Sequence, residues 1–176
     1  MIRTKIVIAA AFIMCSALSL SAQMLRAKAE LRNAQGEPAG VVLFDESSND
    51  EVTIKVTVTH LPTGYHALHI HDQAKCDPPG FTSAGEHFNP AGKEHGFMNS
   101  KGPHAGDLPN IEVKNDGTAE MQIYSKLISL KKDVHNSLFK SGGASVVIHQ
   151  NPDDYVTNPS GGGGNRIACG PIEMIK

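Results

Sequence analysis

Tryptophan is absent from this sequence, and only 5% of its 176 residues are aromatic. Glycine, with 17 residues, and proline, with 10, are plentiful instead. Few large rings and many turn residues favour an all-β domain with short strands and long loops. At this length, and with 40% hydrophobic residues, the chain can bury the core of one globular domain.

The sequence also lacks a hydrophobic run long enough to span a membrane. The apolar run Ile6–Leu20 has about 15 residues, whereas a membrane span needs about 20. It follows two cationic residues and precedes the small pair Ser21-Ala22, which suits signal cleavage. We therefore predict a signal peptide over residues 1–22, a mature domain over 23–176, and export to the periplasm or the cell exterior. A retained N-terminal anchor is the alternative.

An excess of positive charge is also absent. Of the 16 lysines and arginines, two fall within residues 1–22, which leaves 14 cations against 18 carboxylates and a net charge of −4. Surfaces that bind nucleic acid or anionic membranes need an excess of cations. The mature form is therefore expected to bind neither.

Cysteines are few, and only Cys76 and Cys169 lie in the predicted mature chain. Two thiols in an exported protein predict one disulfide, since only one pairing exists. Such a bridge would close a loop of more than 90 residues, for which the chain-entropy model gives about 4–5 kcal/mol of stabilisation. Two buried free thiols are the alternative.

Alternation of apolar and polar residues predicts most of the strands. Val52, Ile54, Val56 and Val58 alternate with polar residues, as in a half-buried strand. Further strands are predicted near residues 25–33, 40–45, 65–71, 111–115, 118–124, 144–149 and 166–174. About eight short strands suit a β-sandwich or barrel.

Two long segments without periodicity interrupt these strands, at residues 72–110 and 150–165. Loops of this length inside a small domain are usually functional or disordered. The first contains one cysteine and four further candidate metal ligands, which favours a functional loop.

Seven polar side chains form a candidate metal-binding set. His69 and His71 are two residues apart on a predicted strand, so both rings project from the same face. His149 ends the apolar run SVVIH and can lie on a neighbouring strand. The loop 72–110 adds His87, His95, His104 and Asp107.

The other histidines are interpreted as structural. His66 has the opposite strand parity to His69 and His71, so we expect it to face away and to bond backbone carbonyls. His60 and His135 stand alone.

Seven ligands are too many for one tetrahedral ion but match two ions that share one ligand. A four-nitrogen site favours Cu(II), whereas three histidines and one aspartate favour tetrahedral Zn(II). Four protein ligands leave that zinc no open position, which argues for a structural zinc and against a zinc hydrolase.

Over residues 25–173 the sequence resembles the copper/zinc superoxide dismutases, and its signal and glycine run resemble the bacterial exported type. The motifs that carry the resemblance are GYHALHIH (64–71), TSAGEHFNP (82–90), KEHG (93–96), PHAGDLPN (103–110), SVVIH (145–149) and GGGGNRIACG (161–170).

The resemblance implies an eight-stranded Greek-key β-barrel or sandwich of immunoglobulin-like type with two long functional loops. It also implies one copper and one zinc ion per subunit, bridged by the imidazolate of His87. The implied copper ligands are His69, His71, His87 and His149. The implied zinc ligands are His87, His95, His104 and Asp107.

The resemblance further implies dismutation of superoxide to dioxygen and hydrogen peroxide. His87 would supply a proton, and Arg166 would guide the anion to copper. Asp153 would join His69 to His95, and Cys76 would pair with Cys169. The choice between a monomer and a homodimer stays open, because dimer contacts differ between branches of the family.

The sequence departs from the eukaryotic relatives in the loop 150–165, which contains no lysine or glutamate. The residues that steer the substrate anion in those relatives therefore cannot be assigned to positions in this loop. In the first loop, Lys75, Lys93 and Lys101 are the candidates for that role. Two alternative functions are a non-catalytic metal-binding or copper-delivery protein of the same fold and a structural adhesion-type β-sandwich. The first would be expected to lack ligands or the guiding arginine, and both are present.

Overall fold

Nine β-strands form across residues 24–176, the part of the chain that the computed structural model describes. They are β1 (Leu25–Asn33), β2 (Pro38–Glu46), β3 (Val52–Val58), β4 (Gly64–His66), β5 (Leu68–His71), β6 (Ile111–Val113), β7 (Ala119–Ser125), β8 (Ser145–His149) and β9 (Arg166–Met174). All eight predicted strands are present, and the one predicted at 65–71 is divided into β4 and β5 at Ala67. The predicted signal peptide, residues 1–22, lies outside the described residues.

Seven strands form one antiparallel sheet in the order β5-β8-β9-β1-β2-β3-β7, and β4 pairs with β6. The small β4–β6 sheet links the two ends of the large one, because β4 precedes β5 and β6 leads into β7 through a tight turn. In that turn Gly117, at φ 79°, donates its N–H to the carbonyl of Lys114. The prediction of a closed all-β Greek-key architecture is confirmed as a curled antiparallel sheet.

The core lies inside the curled sheet and is built from small and β-branched side chains. The apolar face of β3 is at most 1% exposed, and it packs with Phe44 of β2 and Leu31 of β1. Each buried Val, Leu, Ile or Phe side chain contributes about 1.5–3 kcal/mol. The even alternation of the sequence thus translates directly into one buried and one exposed face.

Strand β5 divides the core from the candidate metal site. Its four residues are all buried, but Leu68 and Ile70 join the hydrophobic core whereas His69 and His71 project to the opposite face. The loop 72–110 covers that face through two isolated bridges, His71 to His87 and His69 to Asp107.

The loop 72–110 contains only one short 3₁₀ turn, Thr82–Ala84, and residues 150–165 contain no strand. Both segments match the predicted long loops. Among residues 24–176, no helix has the length and hydrophobicity needed to cross a membrane.

The predicted disulfide between Cys76 and Cys169 is present and closes a sequence separation of 93 residues. Cys169 lies on β9 and is 1% exposed, whereas Cys76 lies in the long loop. The bridge therefore fastens the loop that carries four candidate ligands to the central part of the sheet.

Replacing both cysteines by serine (Cys76→Ser with Cys169→Ser) is expected to lower the free energy of unfolding by about 2–5 kcal/mol, because the unfolded chain regains the closed loop's entropy. Denaturant unfolding of the wild type and the variant measures this difference. A reductant should shift the wild type but not the variant. Equal unfolding curves for the two proteins would contradict the stabilising role.

Candidate metal centre

Two neighbouring strands and one loop bring the first cluster together. His69 and His71 project from β5, and His149 ends the adjacent strand β8, where its N–H donates to the carbonyl of Ala67 at 2.9 Å. His87, in the loop 72–110, lies at the same place because its backbone forms an isolated β-bridge with His71. The nitrogens that these four rings offer lie within 4.8 Å of one another, and all four residues are buried.

One nitrogen of each of these rings is buried without a hydrogen-bond partner. Among the described residues only five buried side-chain atoms lack a partner, and four belong to this cluster: His69 Nδ1, His71 Nε2, His87 Nε2 and His149 Nε2. An unpaired buried polar atom costs about 1–3 kcal/mol, so four of them at one point are energetically costly unless a ligand satisfies them. A metal ion would satisfy all four, and a set of four imidazole nitrogens suits copper.

The other nitrogen of each ring is held by an oxygen atom. The contacts run from His69 Nε2 to Asp153 Oδ2 at 2.8 Å, from His71 Nδ1 to Gly85 O at 3.0 Å, from His87 Nδ1 to Asp107 Oδ1 at 2.9 Å and from His149 Nδ1 to Gly164 O at 3.3 Å. Donation of an N–H to such an oxygen fixes the tautomer and aims the opposite lone pair. All four lone pairs therefore point into the same space.

A second cluster gathers around Asp107. Its Oδ1 lies 2.9 Å from His87 Nδ1, 3.1 Å from His95 Nδ1 and 3.2 Å from His104 Nδ1, and the Nδ1 atoms of His87 and His104 are 3.4 Å apart. Ligands of a tetrahedral zinc ion at about 2.0 Å lie about 3.3 Å from one another. The measured separations match the edges of such a tetrahedron.

A purely geometric grouping places His69, rather than His104, with His87, His95 and Asp107. We assign His104 to this cluster instead, because its Nδ1 is 3.2 Å from Asp107 Oδ1. Both nitrogens of His69 are already engaged elsewhere: Nε2 contacts Asp153, and Nδ1 belongs to the first cluster.

The remaining oxygen of Asp107 fastens the loop around the cluster. Oδ2 accepts the backbone N–H of Gly96 at 2.9 Å and that of His104 at 3.0 Å. The carboxylate is thus oriented by the loop, and the backbone segments that carry His95 and His104 are drawn towards it.

Asp153 connects the two clusters. Its side chain is fully buried, with Oδ2 2.8 Å from His69 Nε2 and Oδ1 2.9 Å from His95 Nε2. Asn110 holds its backbone by donating to the carbonyl at 2.9 Å and accepting its N–H at 2.8 Å. A movement of Asp153 would therefore turn one ring of each cluster.

The pKa values of the first cluster favour neutral imidazoles. Burial is the largest cause that lowers the pKa of His87 to about 4 and that of His149 to about 3. Burial likewise places the pKa of His71 well below its ordinary value. Neutral imidazole is the form that binds a single metal ion, so His71 and His149 need lose no proton at neutral pH.

His95 behaves in the opposite way. Burial lowers its pKa, but hydrogen bonds to Asp107 and Asp153 raise it further, to about 9 overall. Burial raises the pKa values of both carboxyls, but hydrogen bonds outweigh it and hold them well below their ordinary range. The largest of these come from His104 for Asp107 and from His69 for Asp153. In the metal-free protein a protonated His95 therefore donates to one carboxylate from each ring nitrogen.

Arg166 is placed beside the first cluster. Nη1 donates to the carbonyl of Phe81 and Nη2 to that of Gly85, both at 2.7 Å. The same Gly85 carbonyl contacts His71 Nδ1 at 3.0 Å. One carbonyl oxygen thus positions both the guanidinium and a ring of the cluster.

The three remaining histidines contribute no ring to either cluster. The ring nitrogens of His66 lie 2.9 Å from His149 O and 2.8 Å from Pro62 O, as the strand parity predicted. His135 is exposed, with Nε2 2.7 Å from the carbonyl of Pro90, and His60 is exposed at φ 59°.

Sequence reasoning missed three residues that build the centre: Asn110, Gly85 and Gly161. Gly161 has φ 63°, and a methyl group there would overlap Asp153 Oδ1 and lie 2.7 Å from His95 Nε2. Asn110 ends the motif PHAGDLPN and Gly161 begins GGGGNRIACG, so both stood inside quoted motifs. Their roles depend on contacts between segments that are distant in sequence, such as the 43 residues that separate Asn110 from Asp153, and no periodic pattern reveals such contacts.

Comparison with known proteins identifies the arrangement. Residues 38–172 match the family model described as Copper/zinc superoxide dismutase (SODC). The chain is 48% identical over 151 residues to copper-zinc superoxide dismutase 2 of Aquifex aeolicus, covering 85% of this chain and 88% of that one. It is 41% identical over 149 residues to the copper-zinc superoxide dismutase of Caulobacter vibrioides, covering 84% and 85%.

A solved structure shows the same fold. The crystal structure of a superoxide dismutase-like protein from Bacillus subtilis superposes with a TM-score of 0.79 at 39% identity, covering 82% of this chain and 96% of that one.

Gly161→Ala is expected to weaken metal binding about tenfold or more, because displacing Asp153 releases one ring of each cluster. Gly162→Ala is the matched control, since its φ of 71° imposes similar strain but a methyl group there meets no atom within 4 Å. Competition with a chelator measures the affinities. Equal losses in the two variants would contradict the positioning role of Asp153.

Zinc binding at the Asp107 cluster is expected to release about one proton at neutral pH, because the ion displaces the proton on His95. Since the pKa of His95 is raised to about 9, zinc affinity should rise with pH up to about 9 and then level off. Titration calorimetry in buffers of different ionisation enthalpy measures the released protons. A pH-independent affinity with no proton release would refute this protonation state.

The raised pKa of His95 also makes the stability of the metal-free fold depend on pH, in the opposite direction to the zinc affinity. A pKa raised above 6.5 stabilises the folded state fully below that value, and the contribution is lost as the pH rises through about 9.

Proposed function

Since this chain belongs to the copper/zinc superoxide dismutase family, we propose that it converts superoxide to dioxygen and hydrogen peroxide at a copper site that shares His87 with a structural zinc site. The relatives from Aquifex aeolicus and Caulobacter vibrioides are named copper-zinc superoxide dismutases, and copper and zinc are the metals of the family. The proposed copper ligands are His69, His71, His87 and His149. The proposed zinc ligands are His87, His95, His104 and Asp107.

The unpartnered nitrogens of the first cluster carry this proposal. His87 is the only residue with one nitrogen in each cluster: Nε2 is unpaired among the first set, and Nδ1 lies 2.9 Å from Asp107 Oδ1 in the second. A bridging imidazolate requires this geometry. The closed His₃Asp set leaves zinc no open position, so its role is to hold and orient His87.

Copper, when bound, supplies the one-electron chemistry by which one superoxide is oxidised to dioxygen and a second is reduced. The reduced substrate needs two protons to leave as hydrogen peroxide. His87 is positioned to carry one of them at Nε2, and water supplies the other.

Arg166 is proposed to bind the superoxide anion. Two backbone carbonyls hold its guanidinium beside the first cluster, and arginine stays charged at all physiological pH values. The proposed mature chain carries a net charge of −4, so attraction of an anion has to come from local cations such as this one.

The non-catalytic alternative fits the site less well. A copper carrier of this fold needs neither a proton-carrying bridge nor an anion-binding arginine at the copper site. All seven candidate ligands and Arg166 are brought to one place in this structure, which favours turnover.

We further propose that the protein is exported, with residues 1–22 as a signal peptide and residues 23–176 as the mature domain. The disulfide Cys76–Cys169 supports an oxidising compartment. N-terminal sequencing of the secreted or periplasmic protein would test this; a chain that begins at Met1 in the cytoplasm would refute it.

Purified protein loaded with copper and zinc is expected to accelerate superoxide decay in pulse radiolysis. His149→Ala should abolish the acceleration, because it opens the copper site. His135→Ala should leave it nearly unchanged, because that ring is exposed and lies outside both clusters. Metal binding without accelerated decay would refute the enzymatic function, and equal effects of the two variants would refute the ligand assignment.

A further inference from the structure

A cavity of about 300 Å³ opens onto the shared histidine. Its lining includes the two buried imidazoles His87 and His104, and its charged residues are Lys140, Asp72 and Glu86. Lys140 is the only cation in that lining. The three first-loop candidates for steering, Lys75, Lys93 and Lys101, are not part of it.

Lys140 comes from a different segment, the connection 126–144 between β7 and β8. The buried carboxylate of Glu46 anchors this segment by accepting the hydroxyl of Ser129 at 2.9 Å and the N–H of Leu130 at 2.6 Å. His135 lies 2.7 Å from the carbonyl of Pro90, and Ala74 donates its N–H to Gly142 O at 2.7 Å. The segment is therefore fastened to the core and to the start and the middle of the metal-binding loop.

The ammonium group of Lys140 has a defined position but no charge partner. Its Nζ lies 4.6 Å from the ring centroid of Phe88, the buried neighbour of His87 in the chain. Within residues 24–176, no carboxylate lies within 4.0 Å of it. Lys101, by contrast, is paired with Glu94 at 3.0 Å.

The two carboxylates of the lining have different roles. Asp72 is engaged locally, since its Oδ1 accepts the N–H of Glu86 at 3.2 Å. Glu86 is exposed, and its side chain makes no hydrogen bond or ion pair within the described part of the chain. An anion that approaches through this cavity therefore meets one unpaired cation and one unpaired carboxylate.

We propose that Lys140 is the cation that attracts superoxide into the cavity beside His87, and that Glu86 opposes it. Lys140 is thus a positioning residue for the substrate, not part of the metal site. The inference rests on the proposed function, because it concerns the same reaction.

A single charge near the path of a small anion changes its encounter rate modestly. At low ionic strength the expected effect is about twofold to fivefold for one unit of charge. Salt should erase it, since exposed charges are screened beyond about 10 Å at 0.1 M.

The test uses the copper- and zinc-loaded protein and four variants: Lys140→Gln, Lys140→Arg, Glu86→Gln and Lys132→Gln. Lys132 is the matched control, because it is an exposed lysine of the same segment that lies outside the cavity. Pulse radiolysis gives the second-order rate constant at about 0.01 M and about 0.3 M ionic strength.

At low salt, Lys140→Gln is expected to slow the reaction about twofold to fivefold and Glu86→Gln to accelerate it by a similar factor. Lys140→Arg and Lys132→Gln should remain near the wild type, and all differences should shrink at high salt. Equal rates for Lys140→Gln and Lys132→Gln would overturn the proposal. So would a deficit that is independent of salt, which would indicate damage to the segment.

Azide, a small anion that binds copper, provides a readout independent of turnover. Its dissociation constant, followed by the visible absorption of the copper site, should rise in Lys140→Gln and fall in Glu86→Gln. Unchanged constants would overturn the attraction. If the wild-type protein did not accelerate superoxide decay, the proposed function would fail, while the azide titration would still decide the role of Lys140.

Discussion

The candidate metal centre is organised around four imidazole nitrogens that are buried and have no hydrogen-bond partner. His69, His71, His87 and His149 each use one ring nitrogen to contact an oxygen atom, which leaves the other without a partner. No other polar group among the described residues pairs with these atoms, so the folded chain has four desolvated lone pairs at one point, which is energetically unfavourable. A metal ion converts that cost into binding energy, and the surrounding structure keeps the rings from turning away.

Carboxylates provide that rigidity. Asp107 contacts three imidazoles through one oxygen and two backbone N–H groups through the other. Asp153 ties His69 to His95, and Asn110 ties Asp153 to the loop. The long loops thus have a polar centre of buried charges and rings, which replaces the hydrophobic packing that their composition cannot supply. The disulfide adds a covalent attachment to β9.

The strands, and the side chains that gather in the two clusters, could both be predicted from the sequence, for different physical reasons. Strand alternation is local and follows from the geometry of the backbone, so Val52 to Val58 alone indicated a half-buried strand. Parity on the same basis separated His66 from His69 and His71. The alternation did not predict the break at Ala67, where one predicted strand divides into β4 and β5, which join different sheets.

Several supporting residues could not be predicted, because their roles arise from contacts between distant segments. Gly161 is required by the space that Asp153 occupies, and Lys140 reaches the cavity from a connection that holds no ligand. Neither contact produces a characteristic residue spacing or a periodic pattern in the sequence. The lysines of the first loop were better candidates by proximity in sequence, and they lie outside the cavity that contains His87.

Two different metals are proposed to share the ring of His87. Crystals of the copper- and zinc-loaded protein, measured with anomalous diffraction at the absorption edges of both metals, test it directly. One copper peak is expected on the Nε2 side of His87 and one zinc peak on the Nδ1 side. A single ion, or two ions that do not both contact this ring, would contradict it.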